Sequence, residues 1–232
     1  MNVERSRFES YPDPEKFVPR ANYAQLEYFL EEAQQRELKL QEEIAWLGRD
    51  QLTGLKVDKL IRNELDQRVE KASKTGDKFV LIIGDVDNMK YANTEFGHYY
   101  GGDALLKAVG RSCREEDLIG RAGGDEIWWI ADLKPRKEYR PHRLLHARKT
   151  VPEEVALSLA VVFEKRANAE IKKLGLGLEV GFSAGFAVYQ SGDTTGMMID
   201  KASSSMLERK AINKELRGSM DRHPTNFRPE QK

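Results

Sequence analysis

The chain has 232 residues, with 38 Lys and Arg against 38 Asp and Glu, so its formal net charge is zero. A balanced charge gives no general attraction for nucleic acid or for an anionic membrane. The single cysteine excludes an internal disulfide framework, and no apolar run approaches the ~20 residues of a membrane span. We therefore expect a cytoplasmic protein that has neither nucleic acid nor a membrane among its partners.

The N-terminal part of the chain has two patterns. Residues 1–21 are polar and contain three prolines, which predicts an irregular segment. Over residues 22–49, apolar side chains recur in alternating steps of three and four, with Glu37 as the polar exception. This heptad pattern predicts a coiled-coil dimerisation helix, and the alternative is an amphipathic helix that packs on its own domain. The apolar positions are Tyr23, Leu26, Leu30, Ala33, Leu40, Ile44 and Leu47.

From residue 50 onward, helical and β patterns alternate. A helix is predicted at 57–73, and the continuous apolar run FVLIIG at 79–84 is typical of a central strand buried on both faces. A short helix at 104–113 is followed by two apolar runs that flank RAGGDEI, as in a β-hairpin. Further helices are predicted at 153–174 and 195–216, around a β-rich stretch at 178–189.

These elements predict a single α/β domain over residues 50–218. Between the hairpin and the next helix, the basic segment 132–150 is typical of a solvated surface. The last residues, 219–232, are predicted to be a disordered tail.

Two carboxylates stand out in this order of elements. Asp85 follows the buried strand, and Asp125 lies at the tip of the hairpin. If the two strands are neighbours, the pair suits Mg²⁺, which usually shares its oxygen ligands with substrate phosphates. Gly123 and Gly124 lack a Cβ and would let a phosphate or a base approach the backbone. The alternatives are that the glycines serve the turn alone, and that Asp85 caps a helix that begins near Asn88.

Six segments together resemble the GGDEF domain of diguanylate cyclases. The resemblance covers about residues 50–218 and implies an α/β (α+β sandwich) fold, with a palm-like central sheet flanked by helices, similar to nucleotidyl cyclases and polymerases. The segments lie in the family's order and approximate spacing: DQLTGL at 50–55, DVDNMKYANTEFGH at 85–98, REED at 114–117, RAGGDEI at 121–127, FSAGFA at 182–187 and the late lysine-rich helix.

The resemblance implies an activity, in which a homodimer condenses two GTP molecules, one on each of two facing domains, to cyclic di-GMP. Asp85, the carbonyl of Val86 and Asp125 would hold Mg²⁺, with Mn²⁺ as an alternative, against the triphosphate. Asp125 or Glu126 would help to deprotonate the attacking 3′-hydroxyl, and the sequence does not separate these two.

The resemblance also implies the residues that bind substrate and product. Asn93 and Asp103 match the positions that read guanine, and His98 belongs to the same segment. Arg114 and Asp117 match an RxxD site at which cyclic di-GMP binds and inhibits. The remaining substrate-binding residues are Lys90, Gly123, Gly124, Lys210 and Lys214, of which the last two are four residues apart and so share a helical face. For these two lysines the alternative is an ordinary solvated face.

The sequence departs from the family pattern in several places. Ile127 replaces the usual Phe at the end of the GGDEF motif, which is a packing change. The segment GHYYGGD has one residue more than the usual GHxxGD, which leaves the role of Asp103 open. Lys214 stands in for an arginine, and the family's last strand is missing.

Two alternative functions therefore remain. One is a catalytically silent GGDEF domain that acts as a cyclic di-GMP receptor, and the other is a cyclase with altered base choice that makes cyclic GMP-AMP. The presence of Asp85, Asp125, Glu126 and Asn93 favours an active enzyme, and Asp103 argues against an altered base choice.

Overall fold

The computed structural model describes residues 20–133, 151–177 and 179–220. The predicted irregular segment at 1–19, most of the basic segment (134–150) and the end of the predicted tail (221–232) lie outside these residues. The chain divides into two compact units, Met1–Leu47 and Gly48–Lys232. Within the described ranges, no helix combines the length and the hydropathy needed to cross a bilayer.

The first unit contributes one helix, α1 (Arg20–Leu47). The helix predicted from the heptad pattern is therefore confirmed, while its pairing with a second copy stays a prediction. Leu26, Leu30, Leu40 and Leu47 of the seam are 52–67% exposed. The single chain thus leaves these leucine side chains accessible to a second copy.

The second unit is built on a five-stranded sheet in the order β1-β3-β4-β2-β5. Strand β2 pairs antiparallel with both β4 and β5, β3 and β4 form an antiparallel hairpin, and β1 pairs parallel with β3. The predicted buried strand and hairpin are confirmed, but β2 continues three residues beyond the predicted end. The strands are β1 (Lys56–Val57), β2 (Phe79–Asp87), β3 (Leu118–Arg121), β4 (Glu126–Asp132) and β5 (Gly181–Val188).

The second unit has five helices, and four of them lie at the positions that the apolar periodicity indicates; the exception is the helix that follows β2, in a polar segment. The helix that follows β2 begins at Met89, and its N-cap residue is Asn88, with φ 56°. Asp85 lies inside β2, so the alternative in which Asp85 caps this helix is wrong. The helices are α2 (Asp58–Thr75), α3 (Met89–Tyr100), α4 (Gly102–Ser112), α5 (Pro152–Lys172) and α6 (Thr195–Met220), the last of which extends into the predicted tail.

Strand β2 organises the core because every one of its residues is buried. Side chains alternate between the two faces of a strand. Val80 and Ile82 therefore pack with residues of α4 and α5, whereas Leu81 and Ile83 pack with residues of α2 and α6. Asp85 and Asp87 continue the second series, which brings their carboxylates to the side of the sheet covered by α6.

Helix α6 lies very close to β5, and a glycine makes this possible. A Cβ added to Gly185 would lie 2.0 Å from the backbone nitrogen of Met206. Any larger residue would push the helix away from the strand. The glycine of the FSAGFA segment therefore sets the position of α6, and with it the position of Lys210 one turn beyond Met206.

Strand β5 is an edge strand, and side chains of α5 and α6 cover its outward N–H groups. An uncovered edge would be a site for unwanted pairing with other chains. The family's last strand is missing from the described residues, and side-chain oxygens accept these hydrogen bonds. The pairs are Phe182 N with Asn168 Oδ1 at 2.9 Å, Ala184 N with Glu164 Oε2 at 3.3 Å, and Phe186 N with Ser205 Oγ at 3.2 Å.

Candidate active site

Asp85 and Asp125 come near each other where β2 and β4 run side by side, with Glu126 opposite Asp85 in the ladder. Asp85 is paired with Glu126 across the two strands, so both side chains lie on one face of the sheet. Asp125 immediately precedes Glu126 at the hairpin tip. Burial raises the pKa of Asp85 above its ordinary 3.8; Lys210 opposes this shift, and the negative charges of Asp125 and Asp87 add to it. The structure therefore brings Asp85 and Asp125 close enough to interact.

The two glycines at the hairpin tip are not required by the backbone. Neither Gly123 nor Gly124 has a positive φ, and both are exposed. A Cβ on Gly124 would meet nothing within 4 Å, and one on Gly123 would make only ordinary contacts with Glu126, at 3.4 Å or more. Since neither conformation nor packing demands glycine here, the turn alone does not explain this pair. The open backbone suits the approach of an anionic group.

Arg121 links the hairpin tip to Asp50, at the start of the domain, through hydrogen bonds. Its Nη2 donates to the carbonyl of Gly124 at 2.6 Å, and its Nη1 donates to Asp50 Oδ2 at 3.1 Å. Asp50 Oδ1 also accepts from Thr53 N and Oγ1, at 2.9 and 2.7 Å. Burial raises the pKa of Asp50, but these hydrogen bonds and the charge of Arg121 outweigh burial and hold the pKa below its usual value. Sequence analysis assigned no role to Asp50 or Arg121, although both lie in the motif segments.

Helix α6 supplies the cations that face the carboxylates of β2. Lys210 Nζ donates a hydrogen bond to Asp85 Oδ1 and lies 3.9 Å from Asp87 Oδ1. Arg217 Nη2 donates to Asp87 Oδ2 at 2.6 Å. Lys214 is exposed, so the second cation on this side is Arg217 rather than Lys214. The spacing of seven residues between Lys210 and Arg217, two helical turns, was the signal that could have identified Arg217.

Asp87 is 2% exposed, and its two carboxylate oxygens differ. Oδ2 accepts from Ser183 Oγ at 2.7 Å as well as from Arg217. Oδ1 is buried and has no hydrogen-bond donor among the described residues. A buried carboxylate oxygen without a donor is costly. Lys210, at 3.9 Å, can reach this oxygen by a small movement of its side chain.

A polar network behind Asp87 links α5, β5 and α6. Glu164 accepts from Arg209 Nε and Nη2, at 3.0 and 2.9 Å, and from Asn213 Nδ2 at 3.2 Å. Asn213 also donates to Ser183 Oγ at 3.0 Å, and Ser183 donates to Asp87. The network therefore holds the α6 face that carries Lys210 in place. Sequence analysis did not identify these residues, because they lie in distant segments and form no recognisable motif.

The predicted guanine-reading residues lie at the junction of α3 and α4. Asn93 Oδ1 accepts a hydrogen bond from Gly102 N at 2.8 Å, and Asp103 lies in the first turn of α4. The structure thus places Asn93 at the start of the helix that carries Asp103, despite the extra residue between them. Lys90, in the first turn of α3, is exposed, as is His98.

Two glycines shape the backbone in the segment that contains the extra residue. Gly97 interrupts α3 with φ 74° and ψ 164°, a conformation that favours glycine. A Cβ on Gly101 would lie 2.3 Å from the carbonyl oxygen of Ala92, so only glycine fits where the loop turns back against α3. Both glycines are therefore needed for the path of the backbone from α3 into α4.

The predicted product site has one residue on the surface and one that is nearly buried. The Arg114 side chain is 63% exposed and lies 3.9 Å from Glu116. The Asp117 side chain is 13% exposed and accepts from Arg166 Nη2 at 3.4 Å. The guanidinium of Arg166 lies 5.6 Å from the ring centroid of Trp129. Sequence analysis missed Arg166, because it lies on α5, beyond the basic segment.

Comparisons with known proteins agree with this geometry. The family model described as "Diguanylate cyclase, GGDEF domain" matches residues 47–215. The probable diguanylate cyclase DgcJ of Escherichia coli (strain K12) is 29% identical over 174 residues, which is 73% of this chain and 30% of DgcJ. The chain thus spans less than a third of the length of that relative.

Two solved structures have a similar fold. One is the coiled coil and GGDEF domain of DgcB from Caulobacter crescentus in complex with c-di-GMP. It has a TM-score of 0.60 at 21% identity, and the match covers 82% of this chain and 95% of that chain. The other is the diguanylate cyclase SiaD from Pseudomonas aeruginosa in complex with its activator SiaC. It has a TM-score of 0.58 at 25% identity, covering 83% and 69%. Since the family model matches well over half of the residues, this chain belongs to the GGDEF domain family.

Proposed function

We propose that this protein is a diguanylate cyclase, in which two copies of the domain each hold one GTP. The 3′-oxygen of each nucleotide attacks the α-phosphorus of the other, loses its proton and displaces pyrophosphate. Two GTP then give one cyclic di-GMP and two pyrophosphates. The observation that carries the proposal is the grouping of Asp85, Asp125 and Lys210 beside the open hairpin tip.

The carboxylates of Asp85 and Asp125 fit a Mg²⁺ ion that shares its ligands with a triphosphate. Such sites use one or two carboxylates rather than an all-protein cage. The described residues contain no cluster of three or more His, Cys, Asp or Glu side chains that could hold a metal, so the proposed site depends on these two carboxylates and on substrate phosphates. The carbonyl of Val86 would be a further ligand. The bound Mg²⁺, or Mn²⁺, would neutralise charge that develops during phosphoryl transfer.

Lys210 is proposed to exchange one anionic partner for another. Its ammonium donates a hydrogen bond to Asp85. If Asp85 were a ligand of a divalent cation, Lys210 would be available to bind the triphosphate. Lys210 could also approach Asp87 Oδ1, which lies 3.9 Å from its Nζ in the structure. A cation that moves in this way keeps a buried carboxylate compensated at each stage.

Other residues are assigned roles by their position around this centre. Glu126 shares a sheet face with Asp85, so Glu126 or Asp125 is proposed to take the proton of the 3′-hydroxyl. Asn93, His98 and Asp103 are proposed to bind the guanine. The proposed phosphate contacts are Lys90, Lys210, Lys214 and the backbone at Gly123 and Gly124.

The test of the proposed function is product identification. Purified protein is incubated with GTP, with ATP or with both, in the presence of Mg²⁺, and the products are identified by mass. Cyclic di-GMP formed from GTP alone supports the proposal. A mixed cyclic GMP-AMP product would indicate altered base choice, and absence of any product from a protein that still binds cyclic di-GMP would indicate a receptor.

Product inhibition is a second part of the proposal, with Arg114 and Asp117 as the site and Arg166 beside Asp117. We expect wild-type turnover to slow as cyclic di-GMP accumulates and Arg114→Ala turnover not to slow. The loss of a charge-assisted contact should weaken product binding about ten-fold. Calorimetry with cyclic di-GMP measures this directly.

Arg111→Ala is the matched control for Arg114→Ala. Arg111 is also exposed, at 54% of its side chain, and has a comparably long ion pair with Glu170, at 3.7 Å. It should keep wild-type product affinity. Equal affinity in the wild type and Arg114→Ala would remove Arg114 from the product site.

A further inference from the structure

Two adjacent tyrosines in the last turn of α3 are largely exposed. Tyr99 and Tyr100 are 64% and 70% exposed. Their rings are in edge-to-face contact, with centroids 4.9 Å apart and an interplanar angle of 87°. Large aromatic side chains that remain accessible to solvent are frequent at binding sites. None of the roles assigned above uses this pair.

The tyrosine pair lies beside the residues proposed to bind the base. Lys107 Nζ lies 5.0 Å from the ring centroid of Tyr99. Lys107 is one turn beyond Asp103 on α4, so the two side chains share a helical face. Tyr99 therefore lies near the face of α4 that carries Lys107 and Asp103. Asn93 is held at the start of the same helix by its hydrogen bond from Gly102 N.

The backbone fixes the end of α3 that presents the two rings. Gly97 breaks the helix before them, and Gly101 packs so tightly after them that a Cβ would lie 2.3 Å from the carbonyl oxygen of Ala92. Only three residues lie between these two glycines. The rings therefore project from a short helical segment at the end of α3, and Lys107 and Tyr100 further restrict the orientation of Tyr99.

We propose that Tyr99 is a stacking surface for the purine base of the bound nucleotide, with Tyr100 and Lys107 holding its ring in position. This inference rests on the proposed function, since it takes Asn93 and Asp103 as the groups that meet the edges of the base. Hydrogen bonds at the edges distinguish one base from another, whereas stacking accepts any base because every base has a π face. Tyr99 therefore adds affinity for the nucleotide without selecting guanine.

Three ligands separate the base from the triphosphate in a calorimetric test with Mg²⁺. They are α,β-methylene GTP and α,β-methylene ATP, whose bridge to the α-phosphorus cannot be cleaved by the reaction, and inorganic tripolyphosphate. Tyr99→Leu should weaken both nucleotides by the same factor, about ten-fold, and leave tripolyphosphate unchanged. Tyr99→Phe keeps the ring and should bind all three like the wild type. Because Tyr99 is 64% exposed, neither change should impair folding.

The outcomes separate this inference from the proposed function. Nucleotide affinity that is unchanged in Tyr99→Leu would overturn the stacking role, and a fall in turnover alone would then assign the ring to the facing domain. Equal weakening of tripolyphosphate would overturn it too, because the effect would not concern the base. A folded wild-type protein that binds neither nucleotide analogue would contradict the proposed function itself.

Discussion

Asp85→Asn is expected to lower turnover about a thousand-fold while the domain remains folded. The substitution removes a proposed metal ligand and with it part of the neutralisation of charge in the transition state, which is worth several kcal/mol. Each 1.36 kcal/mol corresponds to a factor of ten in rate. Asp125→Asn should lose activity to a similar extent. The measurement is single-turnover formation of cyclic di-GMP with saturating GTP and Mg²⁺.

The same substitution should not lower stability in the absence of metal. Burial holds the pKa of Asp85 above its ordinary 3.8, so the folded state binds the proton more tightly than the unfolded state. The free energy of unfolding then decreases as the pH rises from 3.8 through the folded pKa. Above its folded pKa, the ionised Asp85 therefore costs stability, and Asp85→Asn should be as stable as the wild type or more stable. Urea unfolding in EDTA should show this difference at pH 7 and its loss below pH 3.8.

Asp193 offers a matched control with the opposite behaviour. It is also buried, at 7% exposure, but it accepts from Lys201 at 2.6 Å and from Gln190 N at 3.0 Å. Burial by itself would raise the pKa of Asp193. The hydrogen bonds and the charges of nearby lysines outweigh burial, so the pKa is lowered. Asp193→Asn should lose about 1 kcal/mol of stability and keep its turnover. If Asp85→Asn instead loses stability and keeps turnover, Asp85 is a structural residue.

Strand β2, with its two aspartates Asp85 and Asp87, shows what a local sequence pattern can predict and what it cannot. The apolar run at 79–84 identified a buried strand correctly, because alternation and burial are local properties of the chain. The strand nevertheless continues through Asp87, although aspartate disfavours strands. Lys210 and Arg217 compensate the two carboxylates from 125 and 130 residues further along the chain. No local pattern contains that information.

The late helix illustrates the same difference for the candidate site. The sequence placed Lys210 and Lys214 on one face, and the structure places Lys210 against Asp85 but leaves Lys214 exposed. A spacing of four cannot decide which way that face points. Gly185 allows α6 to lie directly on β5. Hydrogen bonds from Arg209 and Asn213 to Glu164 then hold the helix in this orientation. The motif therefore predicted which residue types occur at the site, but tertiary packing determined which of them meet.

Dimerisation through α1 is expected to control turnover, because in the proposed reaction each domain holds one GTP and two GTP molecules are joined. Leu30 and Leu40 lie in the heptad seam and are 60% and 52% exposed in the single chain. Leu30→Lys with Leu40→Lys would bury like charges between two paired helices without disturbing the core of the domain. We expect a folded monomer that binds α,β-methylene GTP normally and turns over at least ten times more slowly at low protein concentration. Light scattering and a series of activity against protein concentration measure this.

The concentration series is decisive because tethering acts through local concentration. Two domains joined by a paired stalk meet at an effective concentration of about a millimolar, so wild-type specific activity should be independent of concentration once the dimer has formed. The monomeric variant must meet a partner by diffusion, and its specific activity should rise with concentration. Gln25→Lys with Gln35→Lys adds the same two charges outside the seam and should behave like the wild type. A double seam variant that stays dimeric, or a monomer with full and concentration-independent activity, would show that α1 does not assemble the active site.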